Sequence, residues 1–314
     1  MAVAQFTREY TTVRRAEGWG SADRAYYQAL PFADLTGRFT RIWRIRAKSY
    51  ATFIEHVLEP LERAISDENP LVKPARPGAD HRTLRDVAAH GGDDALRDTP
   101  KKDMSSTLDK EPRSGGRHEA AVRLRILDLG AGNGWLSNRL AARGHSVTAI
   151  DLSEDPFDGL GAAKHYDAAF GALLAEFDHL PLPDQQVDLA VFNASIHYST
   201  DYAQTLREAL RVLQPQGTLV ILDTPMYTDP TSGARMVQER QSRFMATYGF
   251  AADALPSEHF LTPARLPELS RELNLSWQTY YPVLDWRSAF GRTLGGIRAR
   301  REPARFPVIL GTRP

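Results

Sequence analysis

The segment Ile126–Trp135, ILDLGAGNGW, constrains the chain more than any other stretch of comparable length. A short, strongly apolar run ends at glycine and passes directly into a helical pattern, WLSNRLAARG, that itself closes on Gly144. Such a run is a strand buried on both faces, and the glycines let the backbone turn sharply into the helix that follows. The alternation continues with SVTAID, GALLAEF, VDLAVFN and GTLVILD as strands, and with helices expected near 155–166 and 201–213. Strand alternating with helix implies right-handed crossovers and a doubly wound parallel sheet covered by helices on both faces.

The same segment carries the chemistry. Glycines at 130, 132 and 134 stand where a strand becomes a helix, so a ligand can approach the backbone closely and meet helix N–H groups. Asp128 precedes them, and Asp151 follows Gly130 by 21 residues at the end of the next strand, where a carboxylate can accept both hydroxyls of a ribose. The dinucleotide fingerprint GxGxxG would place its third glycine at 135, where this chain has Trp135. An acid before the first glycine also opposes a pyrophosphate. The pattern therefore points to a cationic cofactor that carries a nucleoside.

Composition narrows the rest. The 314 residues include 39 Lys+Arg against 39 Asp+Glu, so no net charge draws the chain to nucleic acid or to an anionic membrane. The absence of cysteine excludes disulfides, thiolate metal sites and a cysteine nucleophile. His81, His90 and His118 lack any metal-ligand spacing, and no metal is expected. No run reaches the length of a membrane helix, the opening MAVAQFTREYTTVRRAEGWG lacks a secretory pattern, and a cytoplasmic location is expected.

Outside the alternating region, Ser21–Leu30 reads as a short helix closed by Pro31, and Phe39–Leu61 as one long amphipathic helix. Residues 1–65 are expected to form an N-terminal helical cap over the ligand edge of a sheet that is complete without them. Residues 66–118, rich in Pro, Gly and charged side chains, are expected to be a flexible linker or insertion, with a weak helix near 83–89. The catalytic domain is expected from 119 to 314, with helices at 233–248, 263–273 and 286–301 and strands in LSWQTYYPVLD and FPVILGT. The cationic run Arg38, Arg41, Arg44, Arg46 and Lys48 is read as a solvated helix face.

DLGAGNG, AIDLS and LRVLQPQGTLVILD together resemble the motifs of class I S-adenosylmethionine-dependent methyltransferases, nearest the type 11 group, over residues 124–223. The resemblance implies a Rossmann-like α/β sheet of about seven strands with the last antiparallel. It implies S-adenosylmethionine as cofactor and a small-molecule acceptor. By that likeness the loop of Asp128, Gly130, Ala131, Gly132 and Asn133 faces the methionine part, Asp151 the ribose and Leu152 the adenine. LPLPD at 180–184 aligns Glu176 with the adenine amino group and Phe177 with a backbone donor. Asn193 and Ala194 fall beside the methyl-donor end, with His197, a candidate base, and Tyr198 reaching toward the acceptor. Tyr26 and Tyr27 are candidate acceptor contacts, together with Trp19 and Trp43. A nicotinamide-dependent oxidoreductase and a non-catalytic cofactor-binding protein remain as rivals.

Overall fold

The computed structural model describes residues 1–68, 122–283 and 301–314. The expected insertion 66–118 and helix 286–301 lie almost entirely outside those residues. Seven strands form one sheet: β1 (Arg125–Leu129), β2 (Ser146–Asp151), β3 (Gly171–Leu174), β4 (Val187–Asn193), β5 (Leu213–Leu222), β6 (Ser276–Tyr280) and β7 (Val308–Thr312). Their order is β3-β2-β1-β4-β5-β7-β6. Strands β1 to β5 pair in parallel, and β7 runs antiparallel to both β5 and β6. This is the doubly wound, Rossmann-like arrangement, with the direction of winding reversing between β1 and β4, where a crevice opens at the carboxyl ends of the strands.

The helices are α1 (Ala2–Glu17), α2 (Arg24–Ala29), α3 (Thr40–Phe53), α4 (Glu59–Glu68), α5 (Trp135–Ala142), α6 (Tyr202–Val212), α7 (Pro230–Tyr248) and α8 (Arg265–Leu273). On one face of the sheet, α6 and α8 pack Tyr202, Leu206, Leu210 and Leu269 onto Leu127, Leu129, Phe192 and Ile221. The other face packs Ile126, Leu189, Val191, Val220 and Val308 against α5 and the N-terminal segment. None of the helices among the described residues is long and apolar enough to cross a membrane.

The N-terminal segment is more deeply built in than a cover would be. Tyr27, Leu30, Phe53 and Leu58 are fully buried, as are Tyr26 and Trp43 apart from 1% of their surface. Burying one large side chain contributes roughly 1.5–3 kcal/mol, so residues 19–58 are a layer of the core, and the sheet face is not complete without them. Arg139 of α5 fastens α2, donating to the carbonyls of Leu30 (2.7 Å) and Gln28 (2.6 Å).

Three local expectations are corrected. The long helix runs past Leu61 to Glu68, with a π-helical turn at Ile54–Leu58 between α3 and α4. The short helix begins at Arg24, not Ser21, and is capped by Asp23, whose carboxylate accepts from the N–H of Ala25 at 2.9 Å. Residues 155–166 form turns and a 3-10 helix at Leu160–His165. A Cβ on Gly159 would meet the carbonyl of Ser153 at 2.4 Å, so this tight crossover has no room for an ordinary first helical turn.

Candidate active site

The loop after β1 is held from both sides. The N–H groups of Gly130 and Ala131 donate to the carbonyl of Ile150 at 2.8 and 2.9 Å. That of Gly132 donates to Asp151 at 2.8 Å, while the second oxygen of Asp151 accepts from Ser153 N–H at 2.9 Å. Gly130 has φ +73°, and a Cβ there would lie 2.3 Å from the Cβ of Ser195. Only glycine fits where this loop passes the end of β4. Ser195 in turn donates to the carbonyl of Leu129, tying the β4 loop to the β1 loop.

These loops border a cavity of about 280 Å³. Of the residues expected from the sequence, Gly130, Gly132, Asp151, Leu152, Glu176, Phe177, Ala194 and Tyr198 line it together. Ala131, Asn133 and Asn193 stand behind this surface and are largely buried. Asp128 is fully buried beneath the loop: one carboxyl oxygen accepts from Ser137 Oγ at 2.7 Å, and the other has no partner among the described residues. Burial pushes its carboxyl up to about 7. Burial also raises Asp151, against the backbone N–H groups of Gly132, Ser153 and Leu152 that favour its charged form.

The opposite wall comes from a helix absent from the sequence reading. Val3, Phe6, Thr7 and Tyr10 of α1 line the cavity on one face. Phe6 and Tyr10 meet the ring of Tyr198 at 5.5 and 5.8 Å. Arg14, one turn further, pairs with Asp158, with a second contact from its Nη2 to Oδ1 at 2.9 Å, and Arg15 pairs with Asp155 at 2.7 Å. The guanidinium of Arg14 lies 3.5 Å over Trp19. The spacing Val3, Phe6, Tyr10, Val13 followed by Gly18, which adopts φ +78° as the C-cap, was the available sign of this helix.

Tyr26 and Tyr27 do not line the cavity. Tyr27 donates to the carbonyl of Phe157 at 2.8 Å and stacks on His165, and Tyr26 packs edge-on against Trp43. Both side chains fasten α2 into the core, which corrects their reading as acceptor contacts. Trp19, stacked on Phe39 at 3.7 Å, and Trp43 are likewise core aromatics. His197 also stands off the cavity, beside Tyr198. Burial, with the charges of Arg240 and Arg46, pushes it down to about 3, so it is neutral but a very weak base.

The cavity holds three carboxylates, Asp151, Glu176 and Asp178, and no Lys, Arg or His lines it. A pyrophosphate would meet negative charge alone there, whereas a cationic nucleoside meets its complement. The partnerless oxygen of Asp128 and the open space beside Gly132, where a Cβ would have only the Asp158 carbonyl at 4.0 Å, fit the same ligand.

Residues 127–221 match the family model for the type 11 methyltransferase domain. These residues are a class I S-adenosylmethionine-dependent methyltransferase domain of the type 11 group. The chain is 38% identical over 97 residues to a malonyl-[acyl-carrier protein] O-methyltransferase of Erwinia pyrifoliae, covering 31% of this chain and 36% of the relative. It is 43% identical over 100 residues to an uncharacterized methyltransferase of Mycobacterium tuberculosis, covering 32% and 39%. These alignments thus span little more than a third of each relative. A methyltransferase structure from Mesorhizobium loti aligns over 61% of this chain and 91% of its own, with TM-score 0.43 and 22% identity. The methyltransferase domain uses S-adenosylmethionine as its cofactor.

Proposed function

We propose that the chain transfers a methyl group from S-adenosylmethionine to a small-molecule acceptor. The observation that carries this reading is the acidic, base-free cavity built by the Asp128–Gly134 loop and Asp151 inside the matched domain. When bound, the cofactor supplies an activated sulfonium methyl. The residues of the chain then have to bind, orient and exclude water. Asp128 would hold the amino group, Asp151 the ribose hydroxyls, and Glu176 with the Phe177 backbone the adenine edge. Ala194 and Tyr198 would border the reacting end, and Phe6 and Tyr10 of α1 would close it from water. With His197 so weak a base, we assign it no proton transfer.

The segments 1–68 and 225–283 lie outside the residues that the family model matches, so acceptor choice is assigned to them and is not carried over from the names of the relatives. We further assign the chain to the cytoplasm. The test is transfer of a labelled methyl group in cell extract, with mass identification of the product. Methylation of an extract component supports the reading. S-adenosylhomocysteine binding without turnover in any extract would favour a non-catalytic role.

A further inference from the structure

Three aromatic rings form one corner of the cavity. Phe6 and Tyr10 of α1 and Tyr198, beyond the end of β4, all line it. Their centroids lie 5.5 Å apart between Phe6 and Tyr198, 5.8 Å between Tyr10 and Tyr198, and 5.8 Å between Phe6 and Tyr10. Tyr198 closes the 3-10 turn Ile196–Tyr198, and Ser195 just before that turn is tied to the carbonyl of Leu129, so the ring is fixed beside the β1 loop. Val3 and Leu255 extend the corner with aliphatic surface. The residues assigned to the ribose and adenine, Asp151, Leu152, Glu176 and Phe177, follow β2 and β3 instead, which leaves the aromatic corner to the acceptor.

The chemistry of this cavity is restrictive. Among the described residues no Lys, Arg or His lines it, so nothing there neutralises an anionic acceptor, and its three carboxylates repel one. A strong base is lacking too. His197 stands off the cavity and is pushed down to about 3, and burial holds the Tyr10 hydroxyl above its ordinary range. Asp151 already accepts from the backbone N–H groups of Gly132 and Ser153. A carboxylate is in any case a far weaker base than the phenolate or free alkylamine it would have to generate, since a phenol and an alkylammonium ion both ionise near about 10. A hydroxyl would therefore attack with its proton in place, and an aliphatic amine would arrive with its lone pair occupied.

We propose that the acceptor is a planar aromatic molecule held against the Phe6, Tyr10 and Tyr198 corner, and that the methylated atom is an aromatic nitrogen uncharged at neutral pH. This deepens the methyltransferase reading and rests on it. The nitrogen lone pair forms the new N–C bond as the methyl–sulfur bond breaks. The electron pair of the broken bond stays on sulfur, and the positive charge passes from sulfur to nitrogen. No proton leaves before or during the step, so no base is required. Ring faces and carboxylates favour a cation at both ends of the transfer, first on sulfur and then on nitrogen.

Three bicyclic probes of similar shape test the corner: isoquinoline, whose nitrogen is uncharged at neutral pH, its methylated cation N-methylisoquinolinium, and the anion 2-naphthoate. Their affinities are measured by ligand-observed NMR on the full chain, with and without saturating S-adenosylhomocysteine. Both nitrogen probes should bind at least about tenfold tighter than 2-naphthoate. N-methylisoquinolinium should bind about tenfold more weakly when S-adenosylmethionine replaces S-adenosylhomocysteine, because a second positive charge then faces it. Phe6→Leu and Tyr198→Leu should each cut the advantage of N-methylisoquinolinium over 2-naphthoate by about threefold, and Tyr198→Phe, which keeps a ring, should retain it. Binding of S-adenosylhomocysteine by each variant marks an intact fold. In cell extract, the product should carry its labelled methyl on an aromatic nitrogen. A product methylated on any other atom, 2-naphthoate bound as tightly as the nitrogen probes, binding of none of the probes, or unchanged preferences in both leucine variants overturns the proposal. Failure of S-adenosylhomocysteine to bind the wild type defeats the methyltransferase reading instead, and the probe titrations without it still judge the corner.

Discussion

The two walls of the cavity have different origins. One is laid down by the carboxyl ends of β1, β2 and β4, where backbone amides and Asp151 are fixed by strand pairing. The other is a helix face, that of α1, held by side chains: Arg14 on Asp158, Arg15 on Asp155, and Phe6 and Tyr10 on Tyr198. A ladder of strands cannot change locally without losing its pairing, whereas a helix pinned by a few ion pairs can vary in sequence and position. The cofactor wall therefore belongs to the fold, and the cover belongs to this chain.

The largest effect expected is on the layer that joins the two. Trp43→Ala empties a fully packed site under both walls and should cost about 3–5 kcal/mol, seen as a large fall in the denaturant midpoint. A fall below about 1 kcal/mol would show the N-terminal segment to be a detachable cover after all.

Arg14→Ala should loosen α1 and leave the sheet in place, because Asp158 then keeps a buried charge without its partner. We expect S-adenosylhomocysteine affinity to fall by about 1–3 kcal/mol and amide exchange to rise in residues 2–17 and not in β1 or β2. Asp151→Ala acts on the rigid wall, and the same loss of about 1–3 kcal/mol in affinity should come without faster exchange in α1. Equal exchange patterns in the two variants would erase the distinction between walls.

A subtler difference is in pH. The buried carboxyl of Asp128 titrates near 7 in the free protein, against about 4 in the unfolded chain. Its contribution to stability is thus complete below about pH 4 and is lost as pH rises toward 7. Asp128→Asn should remove that slope in the free protein. A cationic amino group beside Asp128 would draw off its proton, so binding of S-adenosylhomocysteine should release a proton at pH 6 and none at pH 8.5, measured by calorimetry in buffers of different ionisation enthalpy. The smallest effect is expected at His197. His197→Gln should leave turnover within about threefold.

The rigid wall was legible in the sequence because strand burial, glycine turns and the Asp151 spacing all leave local marks. β1 to β5 and the lining residues Gly130, Gly132 and Asp151 are found from them, and the family resemblance adds Leu152, Glu176, Phe177, Ala194 and Tyr198. The α1 wall was missed although Val3, Phe6, Tyr10 and Val13 carry its stripe, because those few apolar residues sit among Arg, Thr and Glu and only contact with Tyr198 completes the surface. Tyr26 and Tyr27 were misplaced for the converse reason: aromatic residues on a short helix look alike whether they meet a ligand or, as here, His165 and Trp43. Asp223 ends a strand like any acid before a turn. Its bond to Ser49 exists only once α3 lies across the sheet.

An acidic cavity with no lining Lys, Arg or His should accept a cationic nucleoside and refuse a dinucleotide. Titration calorimetry of the full chain with S-adenosylmethionine and, separately, with NAD tests this most directly. One-to-one binding of S-adenosylmethionine, displaced by S-adenosylhomocysteine and unaffected by NAD, is the result expected. NAD binding with no response to either methionine derivative would contradict it.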